Sequence, residues 1–312
     1  MLEVLFTVNI TMPIAIIIFA TLIICSTIYL LVLKKQGKLE SSAISDVAII
    51  LVISFAFLWL LLYMGTLEVR SYGFAIIVGF LLAVLLNLPI AKKLGIKKED
   101  LLDISITILI SSLIGSRILY VIITPNSGPL ISRDLLTSGI SGMSFHGGLI
   151  LSILAVIALN FIKKIPVFKI YDLTVPIVAL TYGFGRIGCF LNHCCFGRTT
   201  EHHILGGVPT VDPHLWEYPV QLYSTAMAFI IFVVIYLLIL RYYDKIKEGT
   251  TLFIFLLLMG IERFVMEIYR FHELSAPTFY GLSLAQIVSI SLIILSVIGL
   301  IVINLNKGNR VQ

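Results

Sequence analysis

Four arginines stand where charge is costly. Arg117, Arg186, Arg263 and Arg270 lie inside or at the ends of long apolar runs, and two acids, Glu262 and Glu267, share the run that holds the last two. Ionisable groups inside membrane-length apolar segments are rare and mark functional sites. On a helix, residues 263, 267 and 270 recur at i, i+4 and i+7, so they form one stripe. Four guanidiniums against two carboxylates leave net positive charge. The guanidinium fork matches phosphate oxygens two at a time, so the cluster reads as an anion site. A self-neutralising network between neighbouring helices is the alternative reading. His146, set among Gly142, Gly147 and Gly148, offers an imidazole base; a half-buried polar histidine with no chemical task is the alternative. Gly183, Gly185 and Gly188 surround Arg186, which permits close helix packing or access to backbone. Their GxGxxG spacing is no dinucleotide site, because no strand precedes it.

A stack of apolar segments must position these residues. The 312 residues are 59% hydrophobic and only 12% charged, outside the range of soluble chains. About 20 apolar residues cross a hydrocarbon core. Nine runs qualify, at 12–33, 45–64, 72–91, 102–123, 146–162, 173–193, 219–240, 251–270 and 280–305. The expectation is an all-α polytopic bundle of about nine transmembrane helices. The head MLEVLF carries Glu3 and no cation, and no small-residue cleavage site follows the first run, so that run reads as a retained span. The net charge of +5 is informative through its distribution. Every lysine falls in the links 34–44, 92–101, 163–171 and 241–249 or after residue 305, whereas the opposite links hold Arg70, Arg133 and Arg198. The positive-inside rule then puts the N-terminus outside and the C-terminus in the cytoplasm. With that direction, Arg117, Arg186, Arg263 and Arg270 reach one depth near the outer face, where His146 opens an inward run. Two long links, 124–145 and 194–218, lie on the same face; links of that length are commonly functional.

Cys25, Cys189, Cys194 and Cys195 are the four cysteines. Cys25 reads as a core residue. The other three lie near His193, His202, His203 and His214, on a face where disulfides form. Thiolate and imidazole suit zinc or copper. No CxxC occurs, however, and vicinal cysteines are awkward around one tetrahedral ion, so the spacing assigns no metal. A disulfide such as 189–194 and reduced, packed thiols both stay open. No cofactor and no nucleic-acid partner is expected; the lipid bilayer is the expected surrounding.

Several motifs carry a resemblance. SYG (71–73), GSRILYV (115–121), GMSFHGGLI (142–150), YGFGRIGCFLNHCCFGR (182–198), YPVQLY (218–223), MGIERFVMEIYR (259–270) and SLAQI (283–287) resemble, in order and spacing, the prolipoprotein diacylglyceryl transferase family. The likeness covers roughly 66–306, which implies a seven-span core at 66–312 behind a two-span extension at 1–65. It implies transfer of the diacylglyceryl group of phosphatidylglycerol to the cysteine thiol of a lipobox-containing preprolipoprotein, at the outer leaflet of the cytoplasmic (inner) cell membrane. The products would be a thioether and glycerol 1-phosphate. By motif position, His146, Arg186 and Arg263 would be catalytic, and Tyr72, Arg117, Asn192, Glu267 and Arg270 would bind substrate. Glu262, an added acid beside the matched arginine, joins the binding set. The chain departs from the family pattern at Cys189 (Asn there), Cys194 (an acid there) and Met259 (an aromatic there). A transferase with another acceptor, or a non-catalytic lipid-binding or transport relative, is therefore the alternative.

Overall fold

The computed structural model describes residues 4–9, 66–124, 143–210, 212, 214–271, 278–279 and 281–305. The runs expected at 12–33 and 45–64, Cys25 and nearly all of the link 124–145 lie outside these residues. The chain divides into two units, Val4–Arg70 and the part from Ser71 onward.

In the first unit, strand β1 (Val4–Asn9) pairs antiparallel with β2 (Thr66–Arg70), Asn9 opposite Thr66 and Val4 opposite Arg70, with a register shift between Val4 and Phe6. The chain thus returns at residue 66 to the place it leaves at residue 9. These strands add to the all-α expectation. Their sequences, VLFTVN and TLEVR, are rich in the β-branched residues that favour strands.

The second unit is helical: α1 (Ser71–Leu86), α2 (Leu88–Lys93), α3 (Lys98–Ile123), α4 (Phe145–Lys163), α5 (Val167–Leu191), α6 (Val220–Tyr242), α7 (Thr250–Tyr269) and α8 (Leu284–Leu305). Among the described residues, six helical segments are long and apolar enough to cross a membrane, α1 and α2 counting together as Ser71–Lys93. The remaining helix, α7, has 20 residues but carries Glu262, Arg263 and Glu267. Each expected run from residue 72 onward therefore meets a helical segment. Asn87 marks the break between α1 and α2, just before Pro89, and its Nδ2 donates to the Leu173 carbonyl at 2.6 Å. Pro176 sits inside α5 without ending it.

Ion pairs gather one set of helix ends. Lys93 pairs with Asp244, Lys163 with Asp103 and with Asp100 at 2.7 Å, and Lys169 with Glu248 at 3.7 Å. Lys247 donates to the carbonyls of Ile303 at 2.7 Å and Asn304 at 3.0 Å. The ends of α2, α4, α6 and α8 and the starts of α3, α5 and α7 hence share one lysine-rich end, the alternation that the lysine links imply. Asp172 ties this end together. Buried on α5, it accepts the N–H groups of Gly249 at 2.7 Å and Leu252 at 3.1 Å, the Tyr243 hydroxyl at 3.3 Å and the Thr251 hydroxyl. A carboxylate there satisfies amides that the first turn of α7 leaves open.

The apolar core sits in the same half. Ile90, Leu101, Ile104, Ile170, Leu173, Ile177, Ile231, Ile235 and Ile239 are fully buried. Leu81, Leu85, Ile122 and Phe161 face outward, as a span must in lipid. The half away from the lysines holds Arg186, Glu262, Arg263, Glu267 and Arg270.

Candidate functional site

Helix α7 delivers a buried acid between two cations. Arg263 Nη2 lies 2.9 Å from Glu267 Oε2, one turn along, and Arg270 Nη1 lies 3.8 Å from the same oxygen. Ser283, on the short hairpin β6 (Thr278–Phe279) and β7 (Leu282–Ser283) that leads into α8, donates to Glu267 Oε1 at 3.1 Å. The expected stripe 263–267–270 is thus in place. Arg270 caps α7 in extended backbone, which carries it past the helix end.

Glu262 faces a different neighbour because successive helical residues diverge by about 100°. It is 1% exposed and accepts from the Tyr182 hydroxyl at 3.4 Å. The Tyr182 ring lies under Arg186, with the guanidinium carbon 4.9 Å from the ring centroid. A chain from Glu262 through Tyr182 to Arg186 therefore links α7 to α5. The Nε of Arg186 is buried and has no hydrogen-bond partner among the described residues. Leaving a charged donor buried and unsatisfied is costly, so this nitrogen calls for an acceptor.

Tyr72 packs on the same stretch of α5. A Cβ added at Gly188 would lie 2.9 Å from the Tyr72 Cα, so only glycine allows the approach. Asn192 caps α5, its N–H bonded to the Gly188 carbonyl at 3.0 Å. The chain then reverses. His193 (φ 48) and Cys195 (φ 61) adopt the left-handed backbone, uncommon outside glycine. The reversal sets Cys194 N–H against the Cys189 carbonyl at 3.0 Å and brings the sulfurs of Cys189, Cys194 and Cys195 within 4.8 Å of one another. All three are free thiols. Hydrogen bonds from the Cys189 and Cys194 thiols, then the charges of Arg270 and Arg186, hold the Cys195 thiol well below the ordinary thiol range. The cysteines and the arginines are neighbours.

The long link after α5 is folded over this end. Its strands β3 (Thr199–Thr200), β4 (Val208–Pro209) and β5 (Trp216–Glu217) form a sheet in the order β3-β5-β4. Arg198 N–H donates to the Tyr269 carbonyl at 2.9 Å and Gly197 N–H to the Tyr218 carbonyl at 3.0 Å. The Arg198 guanidinium carbon sits 5.8 Å from the ring centroids of both Tyr218 and Tyr269. His203 meets Trp216 edge-on at 4.4 Å. Among the described residues the sulfur cluster contains no histidine.

Arg117 and His146 stand on another helix pair. Gly115 and Gly147 bring α3 and α4 so close that a Cβ on either would strike the other's carbonyl oxygen. The Ser144 N–H donates to the Ser116 carbonyl at 2.9 Å beside this crossing. Arg117 is 7% exposed, 5.6 Å from the Tyr120 ring centroid, while His146 is exposed in the first turn of α4. The fold thus joins Arg186, Glu262, Arg263, Glu267 and Arg270 through α5 and α7, with Tyr72 against α5 and Asn192 at its end, and sets Arg117 and His146 on the neighbouring helices α3 and α4.

Sequence reasoning missed Tyr182 and Ser283 as members of the site. Tyr182 directly precedes the glycine-rich segment around Arg186, and Ser283 opens SLAQI, so both stood in motifs already singled out. Only the fold shows which acid each one meets.

A family model described as prolipoprotein diacylglyceryl transferase matches residues 59–302. A phosphatidylglycerol–prolipoprotein diacylglyceryl transferase of Clostridium tetani is 30% identical over 251 residues, 78% of this chain and 96% of the relative. The enzyme of that name numbered 2 in Clostridium perfringens is 33% identical, covering 77% of this chain and 92% of the relative. The Shewanella oneidensis enzyme is 33% identical over 72% of this chain and 84% of its own length.

Proposed function

The chain belongs to the prolipoprotein diacylglyceryl transferase family, and from that premise we propose that it transfers the diacylglyceryl group of phosphatidylglycerol to the lipobox cysteine thiol of a preprolipoprotein. One observation carries the assignment to this site: the buried, unpartnered Nε of Arg186 within a cluster of guanidiniums that outnumbers its carboxylates. A phosphodiester oxygen supplies the acceptor that such a donor lacks.

The reaction divides among the groups as follows. The acceptor thiol loses its proton, and its sulfur attacks the glycerol carbon that bears the phosphate ester. A C–S bond forms as that C–O bond breaks, and the electron pair departs with glycerol 1-phosphate. Arg186, Arg263 and Arg270 stabilise the negative charge on the departing phosphate, the kind of preorganised electrostatics that dominates many enzymes. Glu267 holds Arg263 and Arg270 in place, and Glu262 holds Arg186 through Tyr182. Tyr72 and Asn192 flank Arg186 and orient the headgroup; Arg117 secures the lipid from α3. His146 takes the thiol proton. Its exposed position on α4 lets the acceptor peptide approach from the α3–α4 side while the phosphate rests on α5 and α7.

The site lies at the end of the bundle opposite the lysines. With the lysine-rich end in the cytoplasm, the reaction faces the outer leaflet of the cytoplasmic membrane. The test is transfer of a labelled diacylglyceryl group from phosphatidylglycerol vesicles to a lipobox peptide. Arg186→Ala should lower the rate at least about 100-fold, the usual cost of removing one transition-state donor, with membrane insertion unchanged. Undiminished transfer by that variant would sink the assignment.

A further inference from the structure

The structure assigns to Cys189, Cys194 and Cys195 a site for a thiophilic cation of the Zn2+ class. Three sulfurs, not two, converge within 4.8 Å of one another. Around a tetrahedral ion with metal–sulfur bonds of about 2.3 Å, the sulfurs stand about 3.8 Å apart. A small inward movement therefore seats an ion. A disulfide would use two of the thiols and leave the third pressed against it.

The backbone is shaped for this convergence. Vicinal cysteines splay apart in ordinary extended or helical backbone. Here the left-handed Cys195, at φ 61, folds its side chain back toward α5. The Cys194 N–H to Cys189 carbonyl bond, at 3.0 Å, closes the turn. Gln221 Nε2 clamps the Cys194 carbonyl at 2.8 Å from α6. Gln221 is 3% exposed, and its Oε1 is buried with no partner among the described residues. The spacing argument against a metal thus loses its premise, because the turn brings together what the sequence sets side by side.

Charge favours the same occupant. Arg270 lies against Gly197, two residues past Cys195, through an isolated antiparallel bridge. Three thiolates around one divalent ion carry net −1, which offsets the arginine excess without placing another acid in the span. The ion would pin residues 189–195 and so hold Asn192 and the end of α5 beside Arg186. The transfer chemistry is not needed for this site, and its test reads metal directly.

Full-length protein in detergent, reduced and stripped of metal, is titrated with Zn2+. We expect about one ion per chain, and Co2+ in its place should give a thiolate-to-metal absorption band. Zn2+ should slow maleimide alkylation of these cysteines at least tenfold, a readout that needs no variant. Cys25→Ser should bind as the native chain does, and Cys194→Ser/Cys195→Ser should lose at least 100-fold in affinity. Unchanged alkylation with Zn2+, undiminished binding by the double variant, or a disulfide between any two of these cysteines in unreduced protein would each overturn the site.

Discussion

Glu267 is one carboxylate serving two arginines and a serine. Glu267→Gln keeps the shape but removes the charge that restrains Arg263 and Arg270. Transfer should fall at least about tenfold, because the guanidiniums lose their fixed geometry, while membrane insertion is retained. Phosphatidylglycerol transfer assays on vesicles check this, and an unchanged rate would reduce Glu267 to a structural residue. At this scale much was legible. Intramembrane arginines declare themselves by their cost, and the period of the helix put 263, 267 and 270 on one stripe. The partner of Glu262 was not legible, because Tyr182 is 80 residues away and only helix packing brings the hydroxyl within 3.4 Å.

Elements are joined by two different devices. At the lysine-rich end, Asp172 of α5 holds the start of α7 through two amides and the Thr251 hydroxyl, and the end of α6 through the Tyr243 hydroxyl. Asp172→Ala should destabilise the bundle by about 2–4 kcal/mol, since several buried donors lose their acceptor at once; a thermal melt in detergent measures it. At the other end, α3 and α4 meet glycine to glycine. Gly147→Leu must force them apart at a cost of about 1–3 kcal/mol. It should also displace His146 and Arg117 together, so transfer should fall more steeply than stability. A variant as active as the native chain would show that the α3–α4 crossing does not set the site. The helices themselves were legible from apolar length. The glycine pair was readable only as small residues, because glycine patterns alone do not say which helix approaches which.

The whole molecule is asymmetric along the bundle. Packed isoleucines and leucines fill the lysine-rich half, and the clustered arginines Arg186, Arg263 and Arg270 occupy the other. Ion pairs and the Asp172 contacts tie the helices together in the lysine-rich half, and their far ends hold the arginines. A C-terminal fluorescent-protein fusion should fold and fluoresce, since the lysine-rich end is expected in the cytoplasm; a reporter active only outside the cytoplasm should be silent there, and the opposite result would invert the topology. Membership of the family and the helical runs from residue 71 onward were legible in the sequence alone, because apolar length and short motifs are local properties that need no packing. The tertiary structure decided the rest. Which acid meets which arginine, the cap folded over α7 and the convergence of three sulfurs all depend on residues far apart in sequence, or on backbone turns that residue types do not encode. The left-handed turn at His193 and Cys195 makes the point. Four residues separate Cys189 from Cys194, a spacing foreign to common metal motifs, yet the chain reversal there places the sulfurs together.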